Sequence, residues 1–200
     1  MTMKNPYRTT DKTIAYLNKQ YLRLFRQVTS FDELNVIQVS HEIYDEVLRI
    51  IEKEATRLVK VVYDSYSESA EIASEEAGAF VLLLLLAYNP VTKYVFKNEL
   101  DRKRSRFAEG VIASDTPREE VELAKRLLVK MNKQFLDDVT FDTVVKAYKD
   151  DGVKRVRWIT AVDDRRCAEC KSRHHKIYPI DNIPPKPHWH CRCYVERVRD

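Results

Sequence analysis

Five side chains near the end of the chain could share one metal ion: Cys167, Cys170, His188, Cys191 and Cys193. All four cysteines and four of the five histidines lie within residues 167–193, a concentration that chance seldom produces over 200 residues. Cys167 and Cys170 have the spacing at which a tight turn aims two sulfurs at one cation, and a second group of donors returns about twenty residues later. Soft thiolates with imidazole favour zinc, whose tetrahedral shell needs only four of the five. The preferred set is Cys167, Cys170, His188 and Cys191. If residues 191–193 are extended, Cys191 and Cys193 point to opposite faces and only one of them reaches the metal. A four-cysteine site that leaves His188 outside is the other arrangement.

A surplus of protein donors argues for a closed, structural zinc site, since a catalytic zinc keeps one position open for water. Disulfides or plain buried thiols are the competing reading. A redox C-x-x-C is disfavoured because the strand-to-helix setting that motif requires is missing. His174, His175 and His190 then read as exposed loop histidines. The sharper alternative is a metal-dependent His-Asn-His nuclease using His175, Asn182 and His190. Only six residues separate His175 from Asn182, too few for the hairpin such a site needs.

The elements that must position these donors follow from composition and periodicity. A chain with 44 % hydrophobic and 33 % charged residues but only three glycines points to long helices. The expected fold is α+β and mostly α, with long N-terminal helices followed by a small antiparallel C-terminal module that carries the knuckle. Two units are expected: a helical body over 1–88, and 89–200 with the knuckle module at about 153–200. Residues 151–200 hold twelve Lys or Arg against seven Asp or Glu, so they carry +5 of a net +4 and the rest carries −1. That asymmetry permits contact with nucleic acid or another acidic surface. No secretion signal is evident at the start, and clustered cysteines without one suit a reducing compartment, which favours metal over disulfides. The apolar stretch Ala77 to Tyr88 falls short of the roughly twenty residues a membrane span needs, so it reads as a helix buried on all sides or as an interface helix.

Helical spacing of Ile14, Leu17, Tyr21, Leu24, Phe25 and Val28 predicts a first helix over about 11–28, capped by Thr10 after an extended arm. Ser30 to Glu33 has the form of a capping box for a long helix reaching about Ser69, with a break near Ser40. Asn89-Pro90 marks a turn. The basic run around Arg102 and Arg106 lies on a helix as a solvated, salt-bridged face. Thr116-Pro117-Arg118-Glu119 starts another helix, and Thr140 caps a separate short one that Gly152 ends. Alternation through Val156, Trp158, Thr160 and Val162 predicts a strand, as do Lys176 to Ile180 and Arg192 to Val198. The prolines between Asp181 and Pro187 stiffen the loop that brings His188 back to the first cysteine pair.

Three stretches together carry a resemblance: Trp158 through Asp163-Asp164-Arg165-Arg166 to Cys167-Ala168-Glu169-Cys170, then Tyr178 and Pro184-Pro185, then His188-Trp189-His190-Cys191-Arg192-Cys193. Over about residues 140–200 this pattern resembles the phage Mu F-like head morphogenesis family, the minor capsid or minor head proteins of tailed phages. The segment from Asn89 to Glu109 is also similar to one seen in such proteins. The family often has Pro-Asn where this chain has Trp189-His190, which leaves His190 open as a further ligand. The resemblance implies a virion protein, made in the host cytoplasm and acting at the head or portal. Its implied partners are the portal protein or major capsid protein, and packaged double-stranded DNA through the basic tail. It implies a structural zinc knuckle, no catalytic residues and no membrane.

Overall fold

Helix α1 spans Tyr7–Phe25 and begins earlier than a Thr10 cap would have it. Pro6 takes the N-cap position with φ −63°, and the Asn5 side chain accepts the Tyr7 N–H at 3.0 Å. Thr10 is instead buried, its hydroxyl 2.6 Å from that of Thr140. The computed structural model of the protein describes residues 5–160 and 166–199. Residues 1–4 of the extended arm expected over 1–9, and Ala161 to Arg165 of the predicted strand and motif, therefore lie outside the described residues, and residues 7–9 of that arm belong instead to α1.

Helix α2 runs unbroken over Glu33–Tyr66. Its cap is Asp32, which accepts the Asn35 N–H at 3.2 Å, while Ser30 donates to that carboxylate at 2.9 Å; the capping role falls two residues later than predicted. No break occurs near Ser40, whose hydroxyl returns to the Ile37 carbonyl at 2.7 Å and leaves the helix continuous. Helix α3, Ser74–Leu86, buries Ala77, Val81 and Leu85 on one face. Its other side leaves Leu82, Leu83 and Leu86 exposed, so it is not covered all round. Among the described residues, no helix is long and apolar enough to cross a membrane.

The turn at Asn89-Pro90 closes a small hairpin, β1 (Tyr88–Asn89) against β2 (Tyr94–Val95), which sequence pattern did not suggest. Asn89 makes the turn by accepting the N–H groups of Val91 and Thr92 at 2.9 and 3.0 Å. Helix α4 follows over Phe96–Ala113, where Glu99 lies buried under Arg102 and Lys103 at 2.7 and 3.3 Å. Helix α5 is one rod over Pro117–Asp150, about 50 Å long at 1.5 Å per residue. The separate helix predicted after Thr140 does not exist: the Thr140 hydroxyl bonds back to the Leu136 carbonyl at 2.8 Å inside the rod. Gly152, with φ +71°, ends it as expected.

Helices α1, α2 and α4 all pack on α5, and one apolar core runs through them from Leu17 and Ile43 to Leu136 and Tyr148. The chain then changes period. Strand β3 (Arg155–Ile159) is flanked by β4 (Ile177–Pro179) and β5 (Tyr194–Arg197), both antiparallel to it. Val156 and Trp158 pair across from Arg197 and Val195, and Val156, Trp158 and Val195 are fully buried against the helices while Arg155 and Arg157 face outward. The protein is thus mostly helical with a small antiparallel sheet near its C-terminal end, as the composition and period change indicate.

Candidate metal centre

Strand β3 and the short helix α6 (Ala168–Arg173) build the first half of the site. Cys167 is the N-cap of α6, where its sulfur accepts the Cys170 N–H at 3.2 Å. Cys170 sits in the first turn and is buried. The C-x-x-C therefore opens a helix that follows a strand in the chain, a setting the sequence did not reveal. The absence of that setting cannot be the ground for setting aside a redox role; the crowd of further donors around Cys170 is the better one. Helix α6 is held down by Arg173, which pairs with Glu169, donates to the Pro185 carbonyl at 2.6 Å and lies 5.3 Å over the Trp158 ring.

The second half arrives on the proline-rich loop. His190 takes a left-handed backbone with φ +54°, and residues 191–193 precede β5 rather than belonging to it. The condition under which Cys191 and Cys193 would point to opposite faces is therefore not met, and both thiols face Cys170. Cys170 Sγ lies 3.4 Å from Cys193 Sγ, 3.7 Å from Cys191 Sγ and 3.3 Å from His188 Nε2. The five donors form two trios sharing Cys170, one with Cys167 and His188 and one with Cys191 and Cys193; within each, all ligand atoms lie within 4.8 Å of one another. With zinc–sulfur bonds near 2.3 Å, tetrahedral geometry places two sulfurs about 3.8 Å apart and a sulfur and an imidazole nitrogen about 3.6 Å apart. The donor set and its separations fit such an ion, so this cluster could hold a metal. His188 is oriented for it, because Nδ1 meets the Trp189 carbonyl at 2.8 Å and Nε2 turns inward.

Electrostatics distinguish the thiols. The Cys193 thiol hydrogen-bonds to Cys191 and outweighs its burial, pulling Cys191 down to about 6. The same bond, with burial, raises Cys193, and burial pushes Cys170 up to about 12. Cys167 is lowered first by the Cys170 N–H. Burial opposes the charged form of His188, but the Trp189 carbonyl and the Cys191 and Cys167 sulfurs together raise it. Cys191 is thus the thiolate-prone member, and a bound cation would displace protons from its neighbours.

Three fixings join this module to the helices. Lys186, 5 % exposed, donates to the Asp137 carbonyl at 2.7 Å and the Asp138 carboxylate at 3.2 Å, and lies 5.2 Å over the Tyr7 ring. Tyr7 donates to the Cys193 carbonyl at 2.7 Å. Arg197 pairs with Asp151 at 2.8 Å and Glu68 at 2.9 Å and stacks 4.8 Å from the Tyr148 ring. None of these was found from sequence. Lys186 sits among prolines, and a lone lysine there carries no sign of burial.

Of the alternative histidines, His175 has φ +64° and donates its N–H to the Trp158 carbonyl at 2.8 Å, while the His190 N–H goes to Gln134. Asn182 is exposed in a 3-10 turn over Ile180–Asn182. Among the described residues, neither His175 nor His190 joins either trio of donors. Comparison with curated proteins and with solved structures gives no match. The family comparison does: residues 100–196, from within helix α4 into strand β5 and including all five donors, match the model described as Phage Mu protein F like protein.

Proposed function

We propose that this is a tailed-phage minor head protein acting in head morphogenesis. Helices α1 to α5 form the body that docks on the portal or the inner capsid, and the C-terminal module, stapled by one structural zinc, faces packaged DNA. It works as a component of the head and not as an enzyme. The observation that supports this best is the coincidence of the family match over residues 100–196 with the donor cluster and the sheet built around it. Zinc acts here through folding: a structural site contributes on the order of 10–16 kcal/mol to a module whose own core is small. The surplus of donors around Cys170 supports a closed site with no position left for a substrate. The test is to purify heads from an infection with the gene intact and with it interrupted by a stop codon. The protein should be present in intact heads, and its loss should yield few DNA-filled ones. Absence from purified heads, with normal filling in the interrupted phage, would sink the proposal.

A further inference from the structure

The outer face of helix α1 is a row of cations. Arg8, Lys12, Lys19, Arg23 and, at the C-cap, Arg26 are all exposed. At 3.6 residues per turn they fall within about 60° of one another, along about 27 Å of helix. The buried Leu17, Tyr21 and Phe25 lie on the opposite side, in the core. Among the described residues, none of the five side chains makes an ion pair or a hydrogen bond. The one acid of α1, Asp11, stands at the edge of the row and meets Lys133 of α5 at 4.0 Å. Other helices are built differently: α2 pairs Arg49 with Glu46, Arg57 with Glu54 and Lys60 with Asp64, and α4 lays Arg102 and Lys103 over Glu99. Helices α1 and α5 run antiparallel, with Thr10 against Thr140 and Tyr21 against Asn132. Lys130 and Arg126, exposed and outside any ion pair among the described residues, therefore continue one and two turns beyond Lys133, along the C-terminal half of α1. The first 150 residues carry −1 in all, so this is a local concentration of one sign and not a uniformly basic body.

We propose that this row docks the phosphate backbone of duplex DNA, with Arg8, Lys12, Lys19, Arg23 and Arg26 as its contacts and Arg126 and Lys130 at its flank. Charge complementarity carries the choice. A duplex presents one negative charge per about 1.7 Å of its axis, so it offers phosphates to every cation of the row. Such contacts hold the backbone without reading sequence. A single strand fits less well, because Tyr16 is the one exposed aromatic of α1 and strand-binding surfaces stack several bases. A membrane also fits less well: a helix lying in a bilayer surface immerses its apolar face, and that of α1 is packed into the core. The row lies on residues 8–26, outside the segment that matches the family model, and does not depend on the head role. Where that role holds, the row gives the helical body its own face toward DNA, separate from the C-terminal module.

The test titrates the full-length protein with a short labelled DNA duplex of arbitrary sequence, read by fluorescence anisotropy as salt rises from about 50 to 200 mM. Circular dichroism confirms that each variant is folded. With five phosphates engaged, the logarithm of the affinity should fall against that of the salt concentration with a slope of about −4.5. Lys19→Gln with Arg23→Gln should make the slope shallower by about two and weaken binding about tenfold or more at the lower salt, whatever the duplex sequence. Arg49→Gln with Arg57→Gln removes the same charge from the ion-paired face of α2 and should leave the slope as it was. An equal change in the α2 variant would reveal an effect of net charge alone and overturn the row. Duplex binding that survives in the α1 variant but is lost with Lys154→Gln and Arg157→Gln, at β3, would also overturn it, while leaving the DNA-facing reading of the C-terminal module standing. Binding to vesicles of phosphatidylglycerol and phosphatidylcholine without binding to duplex would assign the row to a lipid surface. Binding to neither would make it a solvated face, and both results overturn the proposal.

Discussion

Cys170 is the one donor common to both trios, which gives the cysteines unequal weight. Cys170→Ser is expected to abolish metal binding, whereas Cys191→Ser and Cys193→Ser should each retain up to one metal per chain, because the other thiol already lies within reach. Metal analysis of protein purified under reducing conditions checks this; one metal per chain in Cys170→Ser would refute the shared-donor arrangement. At Asp142, burial and the nearby charge of Asp138 push the carboxyl up to about 7, against Lys186. Its folded value is above the unfolded one of about 3.9, so the folded state holds this proton more tightly. Stability through this group is therefore greatest below about pH 4 and falls as the pH rises to about 7. Asp142→Asn should remove that loss and gain on the order of 2 kcal/mol at pH 8 but little at pH 4, as measured by urea unfolding at both. Asp151 has the opposite sign. Burial works against its charged form, but the Ser69, Glu68, Ser67 and Arg197 donors prevail and hold it well below the usual carboxylate range. Its contribution is complete above the unfolded value of about 3.9 and is lost as pH falls further.

Among the elements, α5 carries most of what holds the site in place, offering Asp137 and Asp138 to Lys186 and Gln134 to the His190 N–H. Lys186→Met is expected to destabilise the protein by about 3–5 kcal/mol, since it strands buried acceptors around Asp137. Thermal unfolding showing a loss under about 1 kcal/mol would mean that water replaces the ammonium without penalty. The sequence was legible where one period rules a whole segment: the amphipathic α1 and α2, the strand at Val156 and Trp158, and the Gly152 stop. It misled where a polar side chain has two local uses. Thr140 and Ser40 look like cap and break, yet each hydroxyl bonds back within its own helix, a choice set by the packing around it. The two-residue strands of the β1–β2 hairpin are too short to show any alternation. That Cys191 and Cys193 both reach Cys170 depends on residues 191–193 lying outside the strand, which sequence alternation does not reveal.

For the molecule as a whole, the helices support one small sheet from one side and the donor cluster, which could hold a metal, supports it from the other. Removing the metal with a chelator is expected to leave the far-UV signal of α1 to α5 nearly intact while residues 155–199 become sensitive to protease. A chelated protein whose C-terminal segment stays as resistant as before would show that Lys186, Arg197 and Tyr7 suffice without the ion. The resemblance of the C-terminal motif was visible from residue order alone, because donor spacing is a local property. The fixings across 186 residues between Tyr7 and Cys193, and across 46 between Asp151 and Arg197, were not, since pairings at that separation leave no periodic trace.

The Tyr7 hydrogen bond to the Cys193 carbonyl also bears on how the chain is made. Helix α1 leaves the ribosome before its partner α5, which emerges more than a hundred residues later, and the carbonyl that Tyr7 grips follows it by 186 residues. At roughly 5–20 residues per second, the nascent helix waits on the order of ten seconds or more for the surface it packs against. Closure of α1 onto the C-terminal module therefore waits until residue 193 has been made, and a chain cut short before α5 would present an unpaired amphipathic α1 to the cell's chaperones and proteases.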